Sequence, residues 1–166
     1  MTTLVSGGTP YRRWLWLAFW LALCLGVGLV GSLVTAPKIP GWYAGLAKPF
    51  FSPPNWLFGP VWTLLYVMMA VAAWRVAFSS AAWEMRKPAV QAFLGQLGLN
   101  ALWSPAFFGL ESPRLALFII VALVMALALT VVVFWRIDRM AGLLLLPYLG
   151  WLLFATVLNG AIVLLN

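Results

Sequence analysis

Gln96, Asn100 and Trp103 recur at i, i+4 and i+7, which places two carboxamides and an indole on one face of a helix. Trp62 and Tyr66 stand four apart, and Tyr148, Trp151, Ala155 and Asn159 advance by threes and fours, so two more segments carry stripes of the same kind. Aromatic rings offer flat apolar surface, and amides orient a molecule through its polar edges. The three faces together describe an interior site for a flat, mainly apolar ligand. The alternative is that Gln96, Asn100 and Asn159 bond across helices while the rings fill a core, since an amide in hydrocarbon needs a partner or a cavity.

The chemistry that is missing narrows the mechanism further. No Asp, Glu, Lys or Arg falls in the middle of an apolar stretch, and the chain has no histidine. A proton-coupled pump normally carries an intramembrane acid, and no such group exists here. Without histidine the usual haem ligand and the commonest metal ligand are gone, so no cofactor and no structural metal is expected. No acid, base and nucleophile constellation supports ordinary catalysis. Cys24 is the single cysteine and reads as a small packing residue.

These faces must be held by membrane helices. Apolar residues make up 65% of the 166 and charged residues 8%, whereas soluble domains run near one half and about a quarter. A span takes roughly 20 apolar residues, and five fit without overlap: Trp14–Thr35, Trp56–Phe78, Ala89–Phe108, Leu115–Trp135 and Gly142–Leu165. LFIIVALVMALALTVVVFW does not alternate apolar with polar residues, as a barrel strand does. The expected fold is an all-α integral membrane protein, a single five-helix bundle over residues 1–166 with no soluble domain.

Prolines punctuate this plan. Pro37, Pro88 and Pro113 fall just outside spans, where a helix stops or starts, and Pro60, Pro105 and Pro147 fall inside or at the edge and predict kinks. Small residues recur every fourth position at Cys24, Gly28 and Ser32 and at Ala122, Ala126 and Thr130, a pattern for close helix approach within the bundle or between protomers.

The connection over residues 37–55 is the longest, and it gathers aromatics, prolines, Lys38 and Lys48. It reads as a lid over a membrane-embedded cavity. Seven basic residues (Arg12, Arg13, Arg75, Arg86, Lys87, Arg136, Arg139) face three (Lys38, Lys48, Arg114) across the spans. The bias places the N-terminus in the cytoplasm and the lid outside. The net charge of +7 is thus largely topological; nucleic acid needs a basic face on a folded domain, and none is expected.

The order WYAGLAKPFFSPP, GPVWTLLY, QLGLNALWSPAFFG and PYLGWLLFATVLN resembles the tryptophan-rich sensory protein and translocator protein (TspO) family, also known as the peripheral benzodiazepine receptor family. The resemblance runs from Trp42 to Asn159. It implies a homodimeric five-helix bundle whose pocket binds porphyrins such as protoporphyrin IX, while animal members bind cholesterol and benzodiazepine-type drugs; the expectation of a bacterial cell envelope rests on the absence of a cleavable targeting segment and of a sterol motif. Carried over, the ligand-binding residues are Trp42 and Pro53 of the lid, Trp56, Phe58, Trp62 and Tyr66, then Asn100 and Trp103, and finally Tyr148, Trp151 and Ala155. Trp62 and Trp151 match tryptophans that some bacterial members are linked to in light-dependent porphyrin breakdown.

Two departures stand out. Phe50 and Phe51 sit where many bacterial relatives have tryptophan, keeping ring surface but losing the indole N–H. Residues 160–166 lack the Tyr and the basic residue of a proposed sterol motif, which lowers the expectation of a sterol ligand. Three functions are compatible with the chain: a tetrapyrrole-binding receptor, sensor or carrier with Lys38 and Lys48 drawing propionates to the mouth, a light- and oxygen-dependent porphyrin-degrading enzyme, and a membrane scaffold.

Overall fold

Long unbroken apolar runs leave a chain in lipid one way to satisfy its backbone, and five helices result. The computed structural model describes residues 10–166. The helices are α1 (Pro10–Thr35), α2 (Asn55–Ala77), α3 (Trp83–Ser104), α4 (Pro113–Ile137) and α5 (Arg139–Leu165), with no strand among the described residues. They close a ring in which α1 lies beside α2 and α3, α2 beside α5, and α4 between α5 and α3. Four of them, α1 with its continuation, α2, α4 and α5, are long and apolar enough to cross a bilayer. α3 is 22 residues long, but it opens with Glu84, Arg86 and Lys87 and turns Gln96 and Asn100 into the bundle.

The outer surface is apolar: Leu29, Phe118, Met125, Leu153 and Val157 are all exposed. In water such a surface would aggregate, and in lipid it is the solvated side. The buried centre is built from Cys24, Met69, Phe93, Leu127 and Tyr148, among others.

Two prolines do something the sequence did not suggest. The α-helix of α1 ends at Thr35, as Pro37 leads one to expect, but the helical path goes on beyond it. Pro37 and Pro40 each remove a backbone donor, and the chain answers by changing register, tightening to a 3-10 turn over Ala36–Lys38 and widening to a π-turn over Ile39–Tyr43. The lid is therefore helical in its first half, and only its second half is irregular. Pro88 lies inside α3, which starts six residues before the expected Ala89. The carbonyl it orphans belongs to exposed Glu84, near the helix start where water can serve it. Pro105 opens a π-turn over Pro105–Gly109 at the end of α3, closed by Leu110 N–H donating to Pro105 O at 2.8 Å.

The two ends of the bundle are tied by polar contacts. At one, Arg75 reaches Asp138 Oδ2 at 2.8 Å, Asp138 Oδ1 accepts from the Met140 and Ala141 amides that begin α5, and Arg86 donates to Ala77 O at 2.6 Å, serving the C-terminus of α2. At the other, Lys38 pairs with Glu111 at 2.7 Å. Glu111 itself sits at φ 51°, a left-handed turn that lets the chain reverse between α3 and α4.

Small residues set the closest approaches. A Cβ on Gly28 would stand 2.5 Å from the Tyr66 ring, and one on Gly142 would stand 3.0 Å from the Trp135 Cα. Cys24 is buried and Thr130 is buried with its hydroxyl on Ala126 O, so one end of each small-residue stripe packs within the chain, while Ser32 at the other end of the first is exposed.

Candidate functional site

Asn100 organises the interior. Its Oδ1 accepts from the Tyr66 hydroxyl at 2.6 Å and its Nδ2 donates to the Tyr148 hydroxyl at 2.8 Å, which joins α3 to α2 and α5. A second amide does the same one layer outward. Asn159 Oδ1 accepts from Trp103 Nε1 at 3.3 Å, and its Nδ2 donates to Pro113 O at 2.8 Å. Asn100 thus fixes two rings and Asn159 one, and these two amides, which hydrocarbon would penalise if left unpaired, are satisfied.

These fixed rings wall a cavity of about 610 Å³, a size suited to a ligand of drug or pigment dimensions. Trp56, Phe58, Trp62 and Tyr66 come from α2, Asn100 and Trp103 from α3, and Trp151 and Ala155 from α5. The rings brace one another: Trp62 lies 5.5 Å from Tyr66, Phe58 lies 5.8 Å from Trp151 edge-on, and Trp103 stacks on Phe107 at 5.1 Å. α1 contributes small and apolar wall at Gly28, Gly31, Ser32 and Leu29, and the lid closes the outer end with Ile39 and Tyr43. Leu29 and Trp56 are 61% and 71% exposed, so the wall is thinnest toward lipid between α1 and α2.

Three residues expected on the wall are elsewhere. Tyr148 is fully buried behind it and acts by holding Asn100. Trp42 turns away, edge-on to Phe107 and Phe108, into a separate cavity of about 310 Å³ with Glu111, Arg114 and Asn166. Pro53 lies on neither cavity wall, because the helical first half of the lid brings Tyr43 over the opening. Gln96 is also off the wall, buried one turn from Asn100 with no protein partner for either amide atom.

The two lysines do not reach the cavity. Lys38 is engaged by Glu111, and Lys48 Nζ sits 4.7 Å over the Tyr43 ring, where it also donates to Ala44 O and Leu46 O. Sequence reasoning missed Tyr43, Phe107, Phe108 and Leu152 on the wall. The run Ala106, Phe107, Phe108 is buried throughout, a density of large rings after Pro105 that marks it as more than a span end.

A ring of five helices around an aromatic and amide cavity defines an integral membrane protein with an internal chamber. The chain belongs to the TspO/MBR family, whose model matches residues 20–165. It is similar to tryptophan-rich protein TspO of Archaeoglobus fulgidus, 50% identical over 142 residues, 86% of this chain and 91% of that protein. It is also similar to tryptophan-rich protein TspO of Chlorobaculum tepidum, 44% identical over 158 residues and covering 93% and 98% of the two chains. The human translocator protein is 38% identical over 144 residues, 86% of this chain and 85% of its own.

Proposed function

We propose that this protein is a membrane receptor, sensor or carrier that holds a porphyrin, such as protoporphyrin IX, or another flat apolar molecule in the α2–α3–α5 cavity. The observation that carries the reading is the joining of a 610 Å³ chamber to rings held rigid by Asn100 and Asn159. Preorganised rings stack on a planar ligand without losing side-chain freedom on binding. The names of relatives, a tryptophan-rich sensory protein of Cereibacter sphaeroides and the translocator proteins of mammals, are compatible with sensing or translocation. The same reading has the chain working as a homodimer in a bacterial envelope, with its N-terminus in the cytoplasm by the basic-residue bias.

Trp62 and Trp151 both face the chamber, which favours light-driven porphyrin breakdown as the second reading. One experiment separates the two. Purified protein is titrated with protoporphyrin IX in the dark through tryptophan quenching, then illuminated while the porphyrin spectrum is followed. Saturable quenching with unchanged bands supports a receptor or carrier, and saturable quenching with bleaching supports the enzyme. Absence of saturation refutes both and brings the scaffold reading forward.

A further inference from the structure

We infer that the chamber accepts its ligand in uncharged form, so that a tetrapyrrole binds with its carboxyl groups protonated, esterified or kept outside the wall. The inference rests on the chamber being the ligand site. Among the described residues, none lining it is Lys, Arg, Asp or Glu. The cations at the outer end are already engaged, Lys38 by Glu111 at 2.7 Å and Lys48 by the Tyr43 ring and two carbonyls. Arg114 belongs to the smaller cavity beyond the lid.

Several of the neutral donors that might solvate an anion are engaged as well, while the Trp151 indole N–H on the wall has no protein partner. The Tyr66 hydroxyl donates to Asn100, the Asn100 amide to Tyr148, the Trp103 indole to Asn159, and the Asn159 amide to Pro113 O. The N-terminus of α2 meets the wall at Asn55 and Trp56, but a helix end offers an anion far less than a carboxylate loses on leaving water. A carboxylate pushed into this wall therefore meets no counter-charge and only neutral donors such as the Trp151 indole, whereas a neutral ring system loses nothing but its contact with lipid or water.

The test compares protoporphyrin IX with its dimethyl ester, titrated in the dark against the full chain in lipid nanodiscs, with empty nanodiscs measuring partition into lipid. At pH 7.5 the ester, corrected for partition, binds at least tenfold more tightly than the diacid, and the diacid gains affinity as pH falls through the range where its propionates protonate. Ser32→Lys puts a cation on the α1 wall and shifts the preference toward the diacid by at least tenfold. A wild-type protein that prefers the diacid, or a preference that Ser32→Lys leaves unmoved, overturns the inference while the ligand-site reading stands. Saturation by neither compound overturns both.

Discussion

The side-chain amide of Asn166 pairs with both backbone groups of Ala47, accepting from its N–H at 3.0 Å and donating to its carbonyl at 3.1 Å. A third bond, from Nδ2 to Ile162 O at 2.9 Å, anchors the amide to α5. The irregular half of the lid is thereby pinned to the end of the helix that carries Trp151 and Ala155. Asn166→Leu removes all three bonds at an exposed site, where their net contribution to stability is small. Ligand dissociation is expected to quicken several-fold with little change in melting temperature, as read by stopped-flow recovery of tryptophan emission.

Asn100 holds two buried phenols. Asn100→Leu leaves the Tyr66 and Tyr148 hydroxyls without this partner, and an orphaned buried polar group costs about 1–3 kcal/mol. Thermal unfolding in detergent should show a clear loss for Asn100→Leu. The triple variant with Tyr66→Phe and Tyr148→Phe should recover part of it, since removing every partner leaves nothing unsatisfied.

The glycines separate by what a methyl group meets. Gly26 has nothing within 4 Å of an added Cβ, whereas Gly142 meets the Trp135 Cα at 3.0 Å and its side chain at 2.8 Å. In a helix interior alanine is favoured over glycine by roughly 1 kcal/mol. Gly26→Ala should therefore be neutral or stabilising, and Gly142→Ala destabilising because a backbone atom has to move. Melting temperatures of the pair check the sign.

Asp138 does two jobs that substitution can divide. It caps α5 through Oδ1 and pairs with Arg75 through both carboxylate oxygens, the shorter contact being to Oδ2. Asp138→Asn keeps a capping oxygen and loses the full ion pair, while Asp138→Ala loses both. Losing a cap costs about 0.5–2 kcal/mol, and the partly exposed pair contributes less, so Ala should destabilise distinctly more than Asn. Chemical denaturation of the two variants orders them.

Much of this architecture was legible in the sequence, and the exceptions have physical causes. The spans could be read because lipid demands unbroken apolar runs, and the stripe Asn100–Trp103 because helical periodicity fixes which residues share a face. Pro37 marked the end of the α-helix at Thr35 but hid the helical path beyond it, because a proline removes one donor without forbidding a change of helical register, which is what carries the chain on to Tyr43. That added rotation decides that Tyr43 and not Trp42 covers the chamber, and no local pattern encodes it. Tyr148 was placed on the correct helix, but whether a ring lines a wall or stands behind it depends on its partner, here Asn100 on another helix. The engagement of Lys38 by Glu111 joins residues 73 apart in the chain, a pairing that sequence spacing does not reveal.

The central claim, that the chamber between α2, α3 and α5 is the ligand site, is tested most directly by filling it. Ala155 is half-buried on the chamber wall, and Ala155→Phe places a ring in the space a planar ligand would take. Dark titration with protoporphyrin IX should show saturable quenching in the wild-type protein and at least tenfold weaker binding in Ala155→Phe, with similar melting temperatures for the two. Identical titration curves for wild type and Ala155→Phe would contradict the account.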